Sequence, residues 1–507
     1  MTINKKLTCE IDGILIYKEN YSNDESMRQL LDDYKSSQGI DFNSLMGSFR
    51  VRLFNEDDNE VIFFGDNSGS MCFYYNNDKF SDSLLDLPAK KIPDFDGIAQ
   101  FIMFGCIYGY KTIISGVYQT DPNKFYVLSN NRIEEKSKNL LGFEELKHNT
   151  LEEIINKYIK ATHNRKKISI ITGGMDSRAI LAHLLNKNQI IELCITGKPE
   201  HADVRVAKQI SETVGLPLHT FGELPDADDK DFIRNSFIAS DGVHGVLGRF
   251  RLYNKSKHLK SMGFDVIFGG VAGEIYKNCF IRQDFPFYFG KPDLKKLYKS
   301  AILANDFSID IFRESMRKSI SNVENIILEE LFFLKQKTKN KFMIYTDIGY
   351  SILQRQMITL TNSGSKSLIP LFPLMERSLV AYIYNRNPYT NEFSYFQRNQ
   401  VSTFYPNIKN INTDQGENCS DNLTLISKEI IKKIPAYLKK RLMRNSVKKQ
   451  NEGRIDEVFY VGLRSKEYKD AIAICKKAGI LKEETDEDTI PPIIADRLMT
   501  LGMVFAG

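Results

Sequence analysis

The residues of this chain best suited to chemistry stand together in Thr172-Gly173-Gly174-Met175-Asp176-Ser177, followed by Arg178. Two adjacent glycines carry no Cβ and let backbone N–H groups close around an anion. Asp176 adds a carboxylate able to help hold a cation, and the hydroxyls of Thr172 and Ser177 add donors. A helix starting at Asp176 or Ser177 points its unpaired N–H groups and the positive end of its dipole at the same spot. Such a spot suits a pyrophosphate. An ordinary strand-to-helix turn capped by Asp176 is the plainer reading of the same residues.

The flanking elements must hold that loop in place. Residues 168–172, ISIIT, are apolar or β-branched enough for a buried strand, and residues 178–185, RAILAHLL, repeat apolar side chains at helical spacing. Beyond them come IIELCIT, HADVRVAKQISETVG and LPLHTF, which read as strand, helix and strand. That alternation predicts a doubly wound parallel sheet, whose ligands lie at the carboxyl ends of its strands. Thr196-Gly197 falls at the second strand end. DVIFGGVAGEIY, residues 265–276, again places glycines after an apolar strand and offers a second backbone wall.

On either side of this region the pattern changes. Residues 7–132 alternate short β-prone runs with polar turns, as antiparallel sheets require, around one helical stretch at 98–110. A helix over 144–159, with Leu151, Ile154, Ile155 and Ile159 on one face, should bridge the two regions. After about residue 285 the pattern is mostly helical, with long runs at 319–337 and 344–361.

Thr172 to Ser177, in its strand–turn–helix setting, resembles the signature of the asparagine synthetase-like branch of the N-type ATP pyrophosphatases, Ser/Thr-Gly-Gly-x-Asp-Ser. The resemblance implies an ATP site formed by Thr172, Gly173, Gly174, Met175, Asp176, Ser177 and Arg178. It assigns Thr196 and Gly197 to base and ribose contact, and Gly269 and Gly270 to the second wall. The amino-terminal region resembles the family's glutamine amidotransferase domain through Gly47-Ser48-Phe49, Gly65-Asp66 with Gly69, and the stretch 101–116 ahead of Val117-Tyr118. The fold expected is therefore an Ntn-hydrolase-like antiparallel sandwich, residues 1–140. A doubly wound ATP pyrophosphatase domain, 141–419, and a helical carboxyl-terminal extension, 420–507, follow it.

Several family positions differ here. The active amidotransferases use an amino-terminal cysteine, whereas Thr2 follows Met1 and the first cysteine is Cys9 inside an apparent strand. The domain is thus expected to be structural, with nitrogen supplied as ammonia or a substrate amine. Against the family pattern Ser-Gly-x-Gly-x-Asp-Glu, residues 268–274 match only at Gly269 and Glu274. Gly273 stands where an aspartate helps hold magnesium, so Asp176 and Glu274 become the expected magnesium ligands. Leu368 and Pro373 stand where the family has arginine and aspartate, and Ser394 where it has lysine. Arg398 fits the arginine that follows and is the remaining candidate for neutralising the intermediate, with Lys366 a second source of charge.

The resemblance implies an ATP-dependent amide-forming ligase that passes through an acyl-adenylate on a specialised small-molecule or peptide carboxylate, with Asp176, Glu274 and Arg398 as its catalytic residues. A silent relative that binds nucleotide or a protein partner is the rival, and self-association is open. Neither GxxxxGK[ST] nor GxGxxG occurs in the right context for another nucleotide-binding class.

The composition narrows the setting. At 507 residues the chain exceeds one ordinary core, and a net charge of +5 argues against a general nucleic-acid surface. Basic and apolar residues alternate over 428–449, which predicts a solvated amphipathic helix broken near Pro435. The seven cysteines form no CxxC pair, and reduced thiols in a cytoplasmic protein are expected. The dispersed histidines suggest no metal cluster. The amino terminus lacks the apolar core of a secretion signal, and no uncharged apolar run is long enough for a membrane span.

Overall fold

The computed structural model describes residues 7–222, 231–277, 293–298, 307–338, 343–384, 393–442 and 457–506. Thr2, Cys279 and the basic residues Arg444, Lys448 and Lys449 lie outside them. The architecture is mixed α/β, with antiparallel sheets preceding a parallel one.

β1 (Leu7–Tyr17) and β2 (Leu45–Asn55) pair along their whole length, from Leu7 opposite Asn55 to Tyr17 opposite Leu45. β3 (Glu60–Gly65) follows. Short strands β4 (Tyr74–Tyr75), β5 (Phe80–Ser81) and β6 (Tyr118–Gln119) make a separate three-stranded sheet. β7 (Lys124–Ser129) and β8 (Arg132–Ser137) complete the first sheet in the order β1-β2-β3-β7-β8. Its inner face packs Leu15, Phe49, Val51 and Phe64 against Leu30 of the helix Asn23–Lys35. Of these strands, β5, β6 and β8 lack a sustained apolar alternation and are not evident in the sequence.

The parallel sheet comprises β9 (Lys167–Ile170), β10 (Glu192–Thr196), β11 (Leu218–Phe221), β12 (Val266–Phe268) and β13 (Ile369–Leu371). Its order is β11-β10-β9-β12-β13. Leu193 and Ile195 pack with Ala179 and Val204, from the helices Met175–Asn186 and Ala202–Val214. Ile168, Cys194 and Ile267 pack with Leu259 of the helix Phe250–Ser261. Successive residues of β10 thus serve different layers, as period-two geometry demands. The chain winds outward from β9 to β11 and then returns to β12 on the other side of β9. The reversal leaves a crevice at the carboxyl ends of β9 and β12.

The bridging helix is Leu151–Ala161, with Leu151, Ile154, Ile155 and Tyr158 buried. Its Tyr158 joins Ile14, Ile16 and Met46 of the first sheet and Phe268 of the second in one apolar cluster. Glu376 completes the joint by accepting hydrogen bonds from the Gly47 N–H at 3.0 Å and from the Tyr158 hydroxyl.

Two expectations for the carboxyl-terminal region change. The helix Leu423–Leu442 passes through Pro435 instead of breaking there. An exposed proline removes a single intrahelical hydrogen bond, a local cost of about 3 kcal/mol that the remaining turns carry. Residues 457–506 are also no loose appendage. Ile494, Leu498, Met499 and Leu501 of the helix Pro492–Phe505 share a core with Ile98 and Phe101 of the helix Phe95–Phe104. Each such buried side chain contributes roughly 1.5–3 kcal/mol, enough to make this helix part of the folded body. Among the described residues no helix is long and apolar enough to cross a membrane.

Candidate functional site

The loop after β9 lies in the crevice. Its helix begins at Met175 with Gly174 as N-cap, and no side chain caps the first turn. Asp176 is therefore not the capping residue of an ordinary turn. Instead the loop is braced from within. The Ser177 hydroxyl accepts from the Thr172 N–H at 3.1 Å, and the Thr172 hydroxyl accepts from the Gly174 N–H at 3.2 Å. The Gly173 N–H is given to Asp203, 2.8 Å away. Asp203, from the first turn of the neighbouring helix, thus already holds one donor of the loop.

Arg178 is fully buried and does not face the crevice. Its guanidinium donates to the carbonyls of Ile411, Asn412 and Gly173 and approaches the Cys419 sulfur at 3.1 Å. It fastens the segment around residue 412 to the glycine loop, which makes it a positioning residue for the loop's backbone.

The second loop, after β12, leans directly on the first. A Cβ added at Gly270 would stand 2.5 Å from the Ser177 nitrogen, and one at Gly273 would overlap the Asp176 carboxylate. Only glycine permits that approach. The aspartate that the family pattern carries at the Gly273 position has no room in this packing. Ala272 between them adopts φ 70°, a left-handed conformation costly for a residue with a Cβ.

Asp176 sits where the two loops meet, and both of its oxygens face donors. The Lys277 ammonium lies 2.5 Å from Oδ2, and the Gln397 side-chain amide donates to Oδ1 at 2.9 Å. Gln397 is buried and also donates to the Gly273 carbonyl at 3.0 Å, so one amide ties the second loop to the carboxylate. Glu274 presents an exposed surface but its carboxyl is closely walled. Desolvation, reinforced by the negative charge of Asp176, raises its pKa, and Lys277 opposes that rise.

Magnesium takes oxygen acceptors in near-octahedral arrangement, usually from one or two carboxylates together with water and phosphate. The donor set at Asp176 does not fit a resident ion of that kind, because both carboxylate oxygens already meet N–H groups. Among the described residues no group of three or more histidine, cysteine, aspartate or glutamate side chains is gathered as metal ligands. The expected pair Asp176 and Glu274 is brought together, but as a carboxylate and its lysine partner with a second carboxyl beside them.

The remaining expected residues divide between crevice and framework. Thr196 is exposed at the carboxyl end of β10, beside the glycine loop, and Gly197 follows with its N–H bonded to the Phe221 carbonyl at 3.1 Å. Gly269 packs against Phe372. Met175 is core. Arg398 is 1 % exposed and spends its guanidinium on the carbonyls of Phe393, Asn418 and Ser420 and on the Glu429 carboxylate at 2.6 Å. Its charge is thereby committed to the loop 418–420 and the helix after it, a structural task in place of the expected catalytic one. Lys366 is likewise engaged, 3.4 Å from the buried Asp241. Ser394 is the buried, left-handed N-cap of the helix Tyr395–Phe404. Burial pushes the Cys9 thiol up to about 12, which keeps it from the thiolate form a nucleophile needs.

Lys277 and Gln397 were not evident as site residues. The only sequence signal for Lys277 is its position three residues after Glu274, one turn along the stretch Gly273–Lys277. Gln397 stands next to Arg398, the residue that the resemblance singles out. No protein-family model matches the chain, and no curated protein matches it.

Proposed function

We propose that this protein is an ATP-dependent, asparagine synthetase-like amide-forming ligase without glutaminase activity of its own. The observation that carries the reading is the meeting of two glycine loops at the β9/β12 switch point, with Asp176 at their junction and Thr196 exposed at the next strand end. In this reading a substrate carboxylate oxygen attacks the α-phosphorus of ATP, the bond to the β-phosphate oxygen breaks and pyrophosphate leaves. Ammonia or an amine then attacks the acyl carbon and loses a proton, and AMP departs with the electron pair of the acyl–oxygen bond. Magnesium enters as part of the nucleotide substrate. The backbone donors of the loops and the charged groups at their mouth stabilise the developing negative charge, where preorganised donors contribute most. The amino-terminal antiparallel region is an Ntn-like domain kept for its structural role, and the substrate is a specialised carboxylic acid or peptide.

A silent, nucleotide-binding or partner-binding relative is the second reading. It is favoured by Asp203, which occupies the Gly173 N–H, and by the commitment of Arg178 and Arg398 to framework carbonyls. Radiolabelled ATP incubated with a panel of carboxylic acids and amines separates the two. Release of pyrophosphate and AMP that depends on one acid, and that falls at least about a hundredfold in Asp176→Ala, supports the ligase. Failure to bind ATP with or without magnesium overturns it.

A further inference from the structure

The expected family lysine is missing from the helix Tyr395–Phe404, yet a lysine does reach the loop junction from another element. Lys277 ends the short helical turn Gly273–Lys277 that follows β12, and its ammonium meets Asp176 at 2.5 Å with both side chains about one-fifth exposed. Two glycines make this contact geometrically available. Gly270 lets the second loop lie on the first turn of the helix Met175–Asn186, and Gly273 clears the space that the Asp176 carboxylate fills. Gln397, buried and bonded to both Asp176 Oδ1 and the Gly273 carbonyl, holds the carboxylate at the angle that faces Lys277. The result is a lysine ammonium poised beside the glycine loop by a carboxylate that is itself held in place.

We propose that Lys277 is the polyphosphate-binding cation of this site and that Asp176 is its positioning partner, not the anchor of a resident magnesium ion. This rests on the nucleotide reading given above and deepens it. An ammonium is a compact charge on a flexible stem, able to turn from a carboxylate to a phosphate oxygen a few ångströms away. Asp176 and Lys277 together carry no net charge. An incoming pyrophosphate group must therefore draw Lys277 away from Asp176, so the aspartate opposes anion binding in the absence of a divalent ion. The two roles for Asp176 predict opposite signs. As a metal anchor its loss weakens nucleotide binding, whereas as a competitor for Lys277 its loss strengthens metal-free binding of the anion.

The test measures equilibrium binding of inorganic pyrophosphate and of ATP to the full chain, in EDTA and in magnesium, for wild type, Lys277→Gln, Lys277→Arg and Asp176→Asn. Thermal melts of each variant serve as the control for folding. The expected result is pyrophosphate affinity in EDTA weakened roughly tenfold or more in Lys277→Gln and restored to within about threefold in Lys277→Arg. In Asp176→Asn it should be strengthened by roughly five- to tenfold. Unaltered affinity in a folded Lys277→Gln overturns the role of Lys277. Loss of magnesium-dependent ATP binding in Asp176→Asn, with pyrophosphate binding in EDTA unimproved, overturns the role of Asp176 and restores it as a metal anchor. If wild type binds neither ligand under either condition, the nucleotide reading itself fails and takes this inference with it.

Discussion

Asp66 and Asp176 each stand at a turn after a strand rich in apolar residues, yet their surroundings differ in kind. Asp66 is fully buried and gathers backbone donors: the N–H groups of Ser68 at 3.0 Å, Ser70 at 2.9 Å and Met71 at 2.8 Å, with the Ser68 hydroxyl at 2.6 Å. Beside it the buried Lys138 ammonium is bonded to the Gly65 carbonyl and to Asn67. Asp176 is partly exposed, and its carboxylate is held by two side chains, Lys277 and Gln397. The first arrangement is a rigid peg for a turn, since its partners cannot leave without unfolding the loop. In the second the partners are side chains, which can turn away at less cost to the fold. Carboxylates of one residue type are thus held firmly or loosely according to whether backbone or side chains satisfy them.

That contrast is open to direct attack. Asp66→Ala leaves several buried N–H groups without an acceptor and Lys138 without a nearby counter-charge. The expected loss is about 3–5 kcal/mol in urea denaturation, or failure to fold. A loss below about 1 kcal/mol would remove the distinction between the two sites.

Glu376 sharpens the comparison from a third position, the joint between the antiparallel and parallel regions. Burial pushes its carboxyl up to about 7, against about 4.5 for an ordinary glutamate, while bonds from Tyr158 and Gly47 pull the other way. Its protonated form is the one the fold prefers. The sign follows: its contribution is complete below about pH 4.5 and is lost as pH rises through about 7. Unfolding free energy should fall on this account by up to ~3 kcal/mol between pH 5 and pH 8, and Glu376→Gln should flatten that slope while keeping the Oε1 acceptor. Parallel pH profiles for wild type and Glu376→Gln would show that the joint does not titrate.

The smallest effect belongs to Asp176. Because both members of its ion pair reach solvent, Asp176→Asn should change stability by less than about 1 kcal/mol while it alters ligand binding. A loss on the scale expected for Asp66 would place Asp176 in the framework.

Much of the fold was legible before any tertiary contact was known. The alternation of apolar strands and amphipathic helices over 168–221 pointed to a parallel sheet, and the glycine pair at 173–174 to a close turn after its first strand. Those signals are local, carried by residues within one turn or one strand of each other. The bracing of the loop was less legible. Asp203 reads as an ordinary first-turn carboxylate, and nothing near it in sequence says that it accepts the Gly173 N–H. Arg178 and Arg398 take functional roles only through the resemblance of their positions to the family pattern, and the structure spends both on backbone carbonyls. The buried helix Pro492–Phe505 reads as a tail because its partner, Phe95–Phe104, lies almost four hundred positions earlier, as the bond from Arg497 to the Ile102 carbonyl measures at 395.

By itself, then, the sequence determined that two adjacent glycines would make a close turn after an apolar strand and that parallel strands would frame that turn. Tertiary structure alone decided what faces Asp176. Lys277 and Gln397 are 101 and 221 residues away along the chain, and they arrive there only because β12 lies beside β9 and the helix Tyr395–Phe404 packs on the helix Met175–Asn186. The physical reason is one of range. Backbone conformation answers to neighbours a few residues apart, whereas the charge that balances a carboxylate comes from whichever element the core packing sets against it.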